Sequence, residues 1–238
     1  MSEEIQILRK EGETMKKLGF LLLLFGMLCF PADKTFALST GDQIRVLNGP
    51  GYPGGEFIIQ TLEGVSLFTT FCLETDEHVR FDEGISPAYY VELSDSAMAG
   101  GSGGPSPDPL DDMTAYLYYN FLQQTLSTPY VSGNRLDANA LQDAIWYIED
   151  EIDEPDHLSK AYLFYDEAVN AYGDGWRNAG RIVVARLWAD YDETTGLFSG
   201  NRQDMLAPAP VPEPATMLLL GAGLVGLAAV GRRKLFKG

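Results

Sequence analysis

The sequence predicts an α+β protein: a sheet with a helical insertion, an N-terminal signal peptide and a single C-terminal transmembrane helix. Three observations predict it. Short runs rich in Ile, Val, Phe and Thr alternate with glycine between residues 42 and 93, the pattern of strands. Three stretches with apolar residues at helical spacing follow between residues 110 and 172, and Ile182-Val183-Val184 then returns to strand. An apolar run beside basic residues lies near each end of the chain.

Strands are expected at residues 42–47, 56–62, 66–73 and 88–93, and a Gly/Pro/Ser-rich loop at 99–109. The first helix is expected over 110–126, with Asp108 as its cap and Pro109 at the first position, where a missing N–H costs nothing. The second, over 137–152, puts Leu141, Ala144, Ile145, Ile148 and Ile152 on one face. The third covers 156–172 and stops near Gly173; a strand at 181–188 completes the order. Tyr116, Tyr118, Tyr119 and Phe121, with Tyr162, Phe164 and Tyr165, read as helix-packing core, and the acidic run at 149–154 as a solvated helix end. There is no internal repeat.

The two ends carry addresses. Met15-Lys16-Lys17 followed by the apolar run 18–30 is a charged n-region and an h-region. Thr35 and Ala37 then supply small residues for a signal peptidase, so residues 15–37 are expected to be removed. Residues 1–14 are polar and precede the signal; Met15 is the expected start, and 1–14 a leader upstream of it. At the other end come a Pro-rich linker (206–214), an apolar helix (215–231) and a basic tail (232–238). That apolar stretch is near the lower limit of the roughly 17–25 residues a spanning helix needs. Arg232, Arg233 and Lys234 hold its end in the cytoplasm, which leaves the bulk of the chain outside. Gly221, Gly223 and Gly226 spell G-x-G-x-x-G, but no strand precedes them; they read as small residues in a membrane helix.

Pro212-Glu213-Pro214, an apolar helix and an Arg-rich end, in that order, resemble the PEP-CTERM sorting signal. The resemblance implies an inner-membrane intermediate, transiently anchored by the helix. It implies processing by an exosortase-type membrane protease near Pro212-Glu213-Pro214. It further implies release to the cell surface or extracellular matrix of a Gram-negative, exopolysaccharide-producing bacterium.

Subtracting the ends leaves one domain, residues 38–205, followed by its linker. Over residues 38–212, eight Lys and Arg stand against 28 Asp and Glu, a net charge of −20. Such a surface repels nucleic acid and anionic headgroups. No EF-hand-type loop or cofactor motif occurs, so neither metal nor cofactor is expected.

Cys29 leaves with the signal peptide, so Cys72 becomes the single thiol of an exported domain. It lies in Phe71-Cys72-Leu73 at a strand end. Seventy residues on, Leu141-Gln142-Asp143-Ala144-Ile145-Trp146 opens a helix, with Gln142 at the rim of the core and Ala138 and Trp146 four residues to either side. The pair resembles the thioester domains of bacterial surface adhesins. These carry an aromatic-Cys-apolar motif on a strand and, downstream, apolar-Gln-x-Ala-apolar-Trp, with the Cys and Gln side chains cross-linked. The resemblance implies a β-sandwich or barrel with a helical insertion, and a Cys72–Gln142 thioester open to a surface-protein amine or a polysaccharide hydroxyl.

The expected function is covalent adhesion at the cell surface or in the biofilm matrix. The alternative is a non-covalent structural or binding protein of that matrix, with Cys72 a buried structural residue. An enzyme is not expected. The two histidines, His78 and His157, lie in acidic segments unlike any cysteine-hydrolase setting and read as exposed.

Overall fold

The computed structural model describes residues 38–50, 55–101 and 104–210, together with Gly221, Gly223 and Leu224. Strands β1 (Gln43–Asn48), β2 (Gly55–Thr61) and β3 (Ser66–Phe71) form an antiparallel meander. β4 (Tyr89–Ser94) pairs with the other edge of β1, β7 (Ile182–Asp192) with β4, and β8 (Leu197–Pro208) with β7. The result is a six-stranded antiparallel sheet of order β3-β2-β1-β4-β7-β8. Two short strands, β5 (Ser96–Ala97) and β6 (Asp108–Pro109), make a separate ribbon. Helices α1 (Asp112–Gln123), α2 (Arg135–Ile148) and α3 (Lys160–Gly173) lie between β6 and β7.

The α+β order with a helical insertion is therefore present. The sandwich or closed barrel is not: the main sheet is single and open. Closure would need a ladder between β3 and β8. Among the described residues these edges meet at one bridge, Cys72 opposite Met205, with the Leu73 N–H donating to the Asp204 carbonyl at 2.9 Å. The expected signal peptide (15–37) and the sorting residues Pro212, Glu213, Pro214, Arg232 and Arg233 lie outside the described residues. So does nearly all of the expected span 215–231, whose described members Gly221, Gly223 and Leu224 are helical. Among the described residues no helix is long and apolar enough to cross a membrane.

Each helix starts where a side chain satisfies its first free N–H groups. The carboxylate of Asp111 accepts from Met113 N–H at 2.6 Å, the amide oxygen of Asn134 from Leu136 N–H at 2.9 Å, and Ser159 Oγ from Tyr162 N–H at 3.2 Å. These caps correct the expected starts at 110, 137 and 156. Asp108 and Pro109 pair with Ser96 and Ala97 instead. α2 ends at Ile148 rather than 152 because Asp150, at φ 58°, turns the chain left-handed. β8 was not expected at all, and it takes residues 206–208 from the expected linker.

Two apolar clusters fill the interior. One joins Phe71, Tyr118, Leu141, Ile145 and Phe164 between helices and sheet; the other joins Phe57, Ile59, Cys72, Trp146 and Met205. Alternation along β3 sends Phe71 to the first and brings its neighbour Cys72 to the second. Rotation along α2 does the same for Ile145 and Trp146. The seam between the clusters is where the strand end meets the helix.

Candidate functional site at the end of strand β3

Cys72 and Gln142 meet at that seam. The Cys72 N–H donates to Gln142 Oε1 at 3.0 Å, and Gln142 Nε2 donates to the Cys72 carbonyl at 2.8 Å. One carboxamide thus satisfies both main-chain groups of one residue. Gln142 is 1% exposed, in the interior rather than at the rim the sequence suggested, and Cys72 is also buried. Such a contact is demanded by burial, since an unpaired amide inside the protein is costly. Gly55, opposite Phe71 in β2, leaves the space: a Cβ there would lie 2.4 Å from Phe71 Cδ1 and 3.2 Å from Gln142 Oε1.

The arrangement has a chemical consequence. Main-chain hydrogen bonds of a strand run in the plane of the sheet, while side chains stand perpendicular to it. The Cys72 thiol therefore projects to one side of the plane in which its main-chain groups bind the amide. Attack on a carboxamide carbon comes from that direction. The N–H that would receive the developing negative charge on Oε1 is already in place, at 3.0 Å. Burial, and secondarily Glu77, keeps the thiol protonated far above its ordinary range.

Cys72 also lines a cavity of about 350 Å³, with Phe57, Phe81, Val79 and Trp146 as apolar walls and Glu74, Glu77 and His78 among its polar lining. The Phe57 and Phe81 rings stack with centroids 5.7 Å apart. The Trp146 indole Nε1 is buried without a hydrogen-bond partner among the described residues.

Carboxyl groups crowd this end of the molecule. Burial pushes Glu74 up to about 9, aided by a hydrogen bond with Glu151 and by the charges of Glu151, Glu77 and Asp204. Glu77 is also raised, by burial first; it accepts from the Asp204 N–H at 3.0 Å and from the Asn201 amide. Asp204, fully buried, is raised to about 7 by burial and then by Glu77. Glu151 accepts from Thr75 N–H at 2.9 Å and Oγ1 at 2.7 Å, and Glu149 is buried and raised to about 8. The acidic run at 149–154 is therefore partly interior rather than a solvated helix end, because Glu149 caps the Asp111 N–H and Glu151 clamps the chain after Cys72. Among the described residues no group of three His, Cys, Asp or Glu is arranged to hold a metal ion.

Both histidines are exposed, His157 beside Glu154 and Tyr162 and His78 on the cavity. Sequence reasoning missed Gly55, Phe57, Phe81 and the convergence of Glu74, Glu77, Glu151 and Asp204. The one local signal was Glu74-Thr75-Asp76-Glu77-His78, which starts two residues after the cysteine.

Comparison with known families matches residues 210–234 to the PEP-CTERM protein-sorting motif. The chain therefore carries an exosortase-type sorting signal, which directs export to the cell surface. No curated protein and no solved structure matches the chain.

Proposed function

We propose that this exported surface protein attaches covalently to its partner through an internal Cys72–Gln142 thioester, and that it acts as an adhesin rather than an enzyme. The observation that carries the reading is the paired hydrogen bond that holds the Gln142 carboxamide against Cys72. Sγ attacks Cδ, the C–N bond breaks, and Nε2 leaves as ammonia with the thiol proton. No other reactant is needed: the thiol proton passes to the departing nitrogen as sulfur attacks. Proximity of this kind is worth on the order of 10⁵ M in effective concentration. The surrounding core excludes water from the product.

An amine from the partner then attacks Cδ, the C–S bond breaks, and the sulfur takes the amine's proton. The aromatic walls and the Glu77 carboxyl favour a cationic amine over a polysaccharide hydroxyl. Processing near Pro212-Glu213-Pro214 by an exosortase-type protease, after a transient stay in the inner membrane of a Gram-negative cell, completes the route outward. Thiol titration tests the reading: fresh mature protein, freed of Cys29, should show no reactive thiol even when unfolded, and one after methylamine treatment. Cys72→Ala should show none in either case, and Gln142→Ala one in both. A full thiol in fresh, unfolded wild-type protein would overturn it.

A further inference from the structure

Trp146 is one turn beyond Gln142 on α2, is 8% exposed, and packs in the same cluster as Cys72 and Phe57. Its indole N–H is buried with no acceptor among the described residues, which is an uncompensated cost in the resting fold. Trp146 also lines the cavity over Cys72, which Gln142 does not. Before reaction the Gln142 carbonyl is beside the strand, on the Cys72 N–H. Bonding of Cδ to Sγ draws that carbonyl toward the cysteine side chain, which packs in the same cluster as Trp146.

We propose that the Trp146 Nε1–H is a catalytic hydrogen-bond donor that receives the acyl oxygen of the thioester and stabilises its negative charge when an amine attacks. The assignment rests on the thioester reading and adds a residue to it. In the aminolysis step the amine nitrogen bonds to Cδ, the electron pair of the C=O moves onto oxygen, and it returns as the C–S bond breaks. The indole donates throughout and transfers no proton. A hydrogen bond to the acyl oxygen strengthens as negative charge gathers there, so it lowers the barrier to aminolysis by more than it stabilises the thioester. This accounts for an unpaired N–H at a buried position where phenylalanine would pack with no polar group to satisfy.

The test compares the wild-type mature chain with Trp146→Phe by intact mass, methylamine reaction rate and thermal melting. The variant should melt at the same temperature or higher, yet react with methylamine about 10²-fold more slowly. A purely structural tryptophan would give the opposite pattern, a lower melting temperature with an unchanged rate. If Trp146→Phe does not fold, the indole resonances of the wild type decide. Of its three tryptophans, the Trp146 N–H should shift when methylamine opens the thioester while Trp176 and Trp188 stay in place. An unmoved Trp146 signal, or a variant rate within twofold of wild type, overturns the assignment and leaves the thioester standing. Wild-type protein that never loses ammonia overturns both.

Discussion

Gln142 reaches both main-chain groups of Cys72 only because residue 55 has no side chain. Gly55→Ala would drive a methyl group into the Phe71 ring, with Gln142 Oε1 close behind. Overpacking of this kind costs about 1–3 kcal/mol. We expect a urea midpoint lowered to match, and a smaller cross-linked fraction because the amide is pushed off its donors. A Gly55→Ala protein with wild-type stability would mean that strand and helix do not meet as described. The site was legible in the sequence to the extent that its chemistry depends on residue type. Cys72 and Gln142 stand out by identity, order and spacing. Gly55 does not, since its role is set by a ring and an amide that come from β3 and α2. Nor does the depth of Gln142: one position off an apolar stripe reads as a rim, and the strand end that covers it comes from 70 residues away.

Among the elements, those with strong periodicity were legible and those held by long-range pairing were not. β1 to β4 and the three helices follow their apolar patterns, with ends shifted by the caps at Asp111, Asn134 and Ser159. β8 was invisible because its middle, Ser199 to Asp204, is polar and contains Gly200; Met205-Leu206-Ala207 is its short apolar run in the core, with Gln203 and Asp204 buried before it. Its partner β7 gives it order, through a hairpin whose Asp192 carboxylate accepts from Thr194 N–H at 2.8 Å. The ribbon β5–β6 is held from β7 as well. The buried Arg186 donates to the Ser96 carbonyl at 2.9 Å, to Ser96 Oγ at 3.0 Å and to the Ala97 carbonyl at 3.3 Å. It also faces Glu92 at 3.8 Å and lies across from Asp204 in β8. Arg186→Met leaves those acceptors and carboxylates without their cation, so we expect a loss of about 3 kcal/mol in chemical denaturation. An unchanged midpoint would show that β5 needs no such anchor.

At the scale of the whole molecule, acidity and burial act together. The sequence revealed the charge, −20 over residues 38–212, but not that several carboxyl groups face inward, because Glu74, Glu149 and Asp204 are buried by segments distant from them in sequence. All three hold their protons to higher pH when folded, Glu74 to about 9, Glu149 to about 8 and Asp204 to about 7. As pH rises above the ordinary carboxylate range, the unfolded chain sheds these protons first. Their contribution is therefore fully present at low pH and is lost as pH climbs through the folded values. Asp137 acts in the opposite sense: its hydrogen bond from Lys160 lowers it, and that contribution is lost only in acid. Melting temperature should accordingly fall steadily from about pH 5 to about pH 9. A profile that rises over this interval would contradict the burial of these groups. The same enclosure is what would keep a thioester from water, and the most direct test of that bond is the intact mass of the freshly purified mature chain. That mass should be lower than the sequence mass by one ammonia, and restored to the full value in Cys72→Ala and Gln142→Ala once each substitution is allowed for. A wild-type chain at its full sequence mass, with Cys72 free, would contradict it.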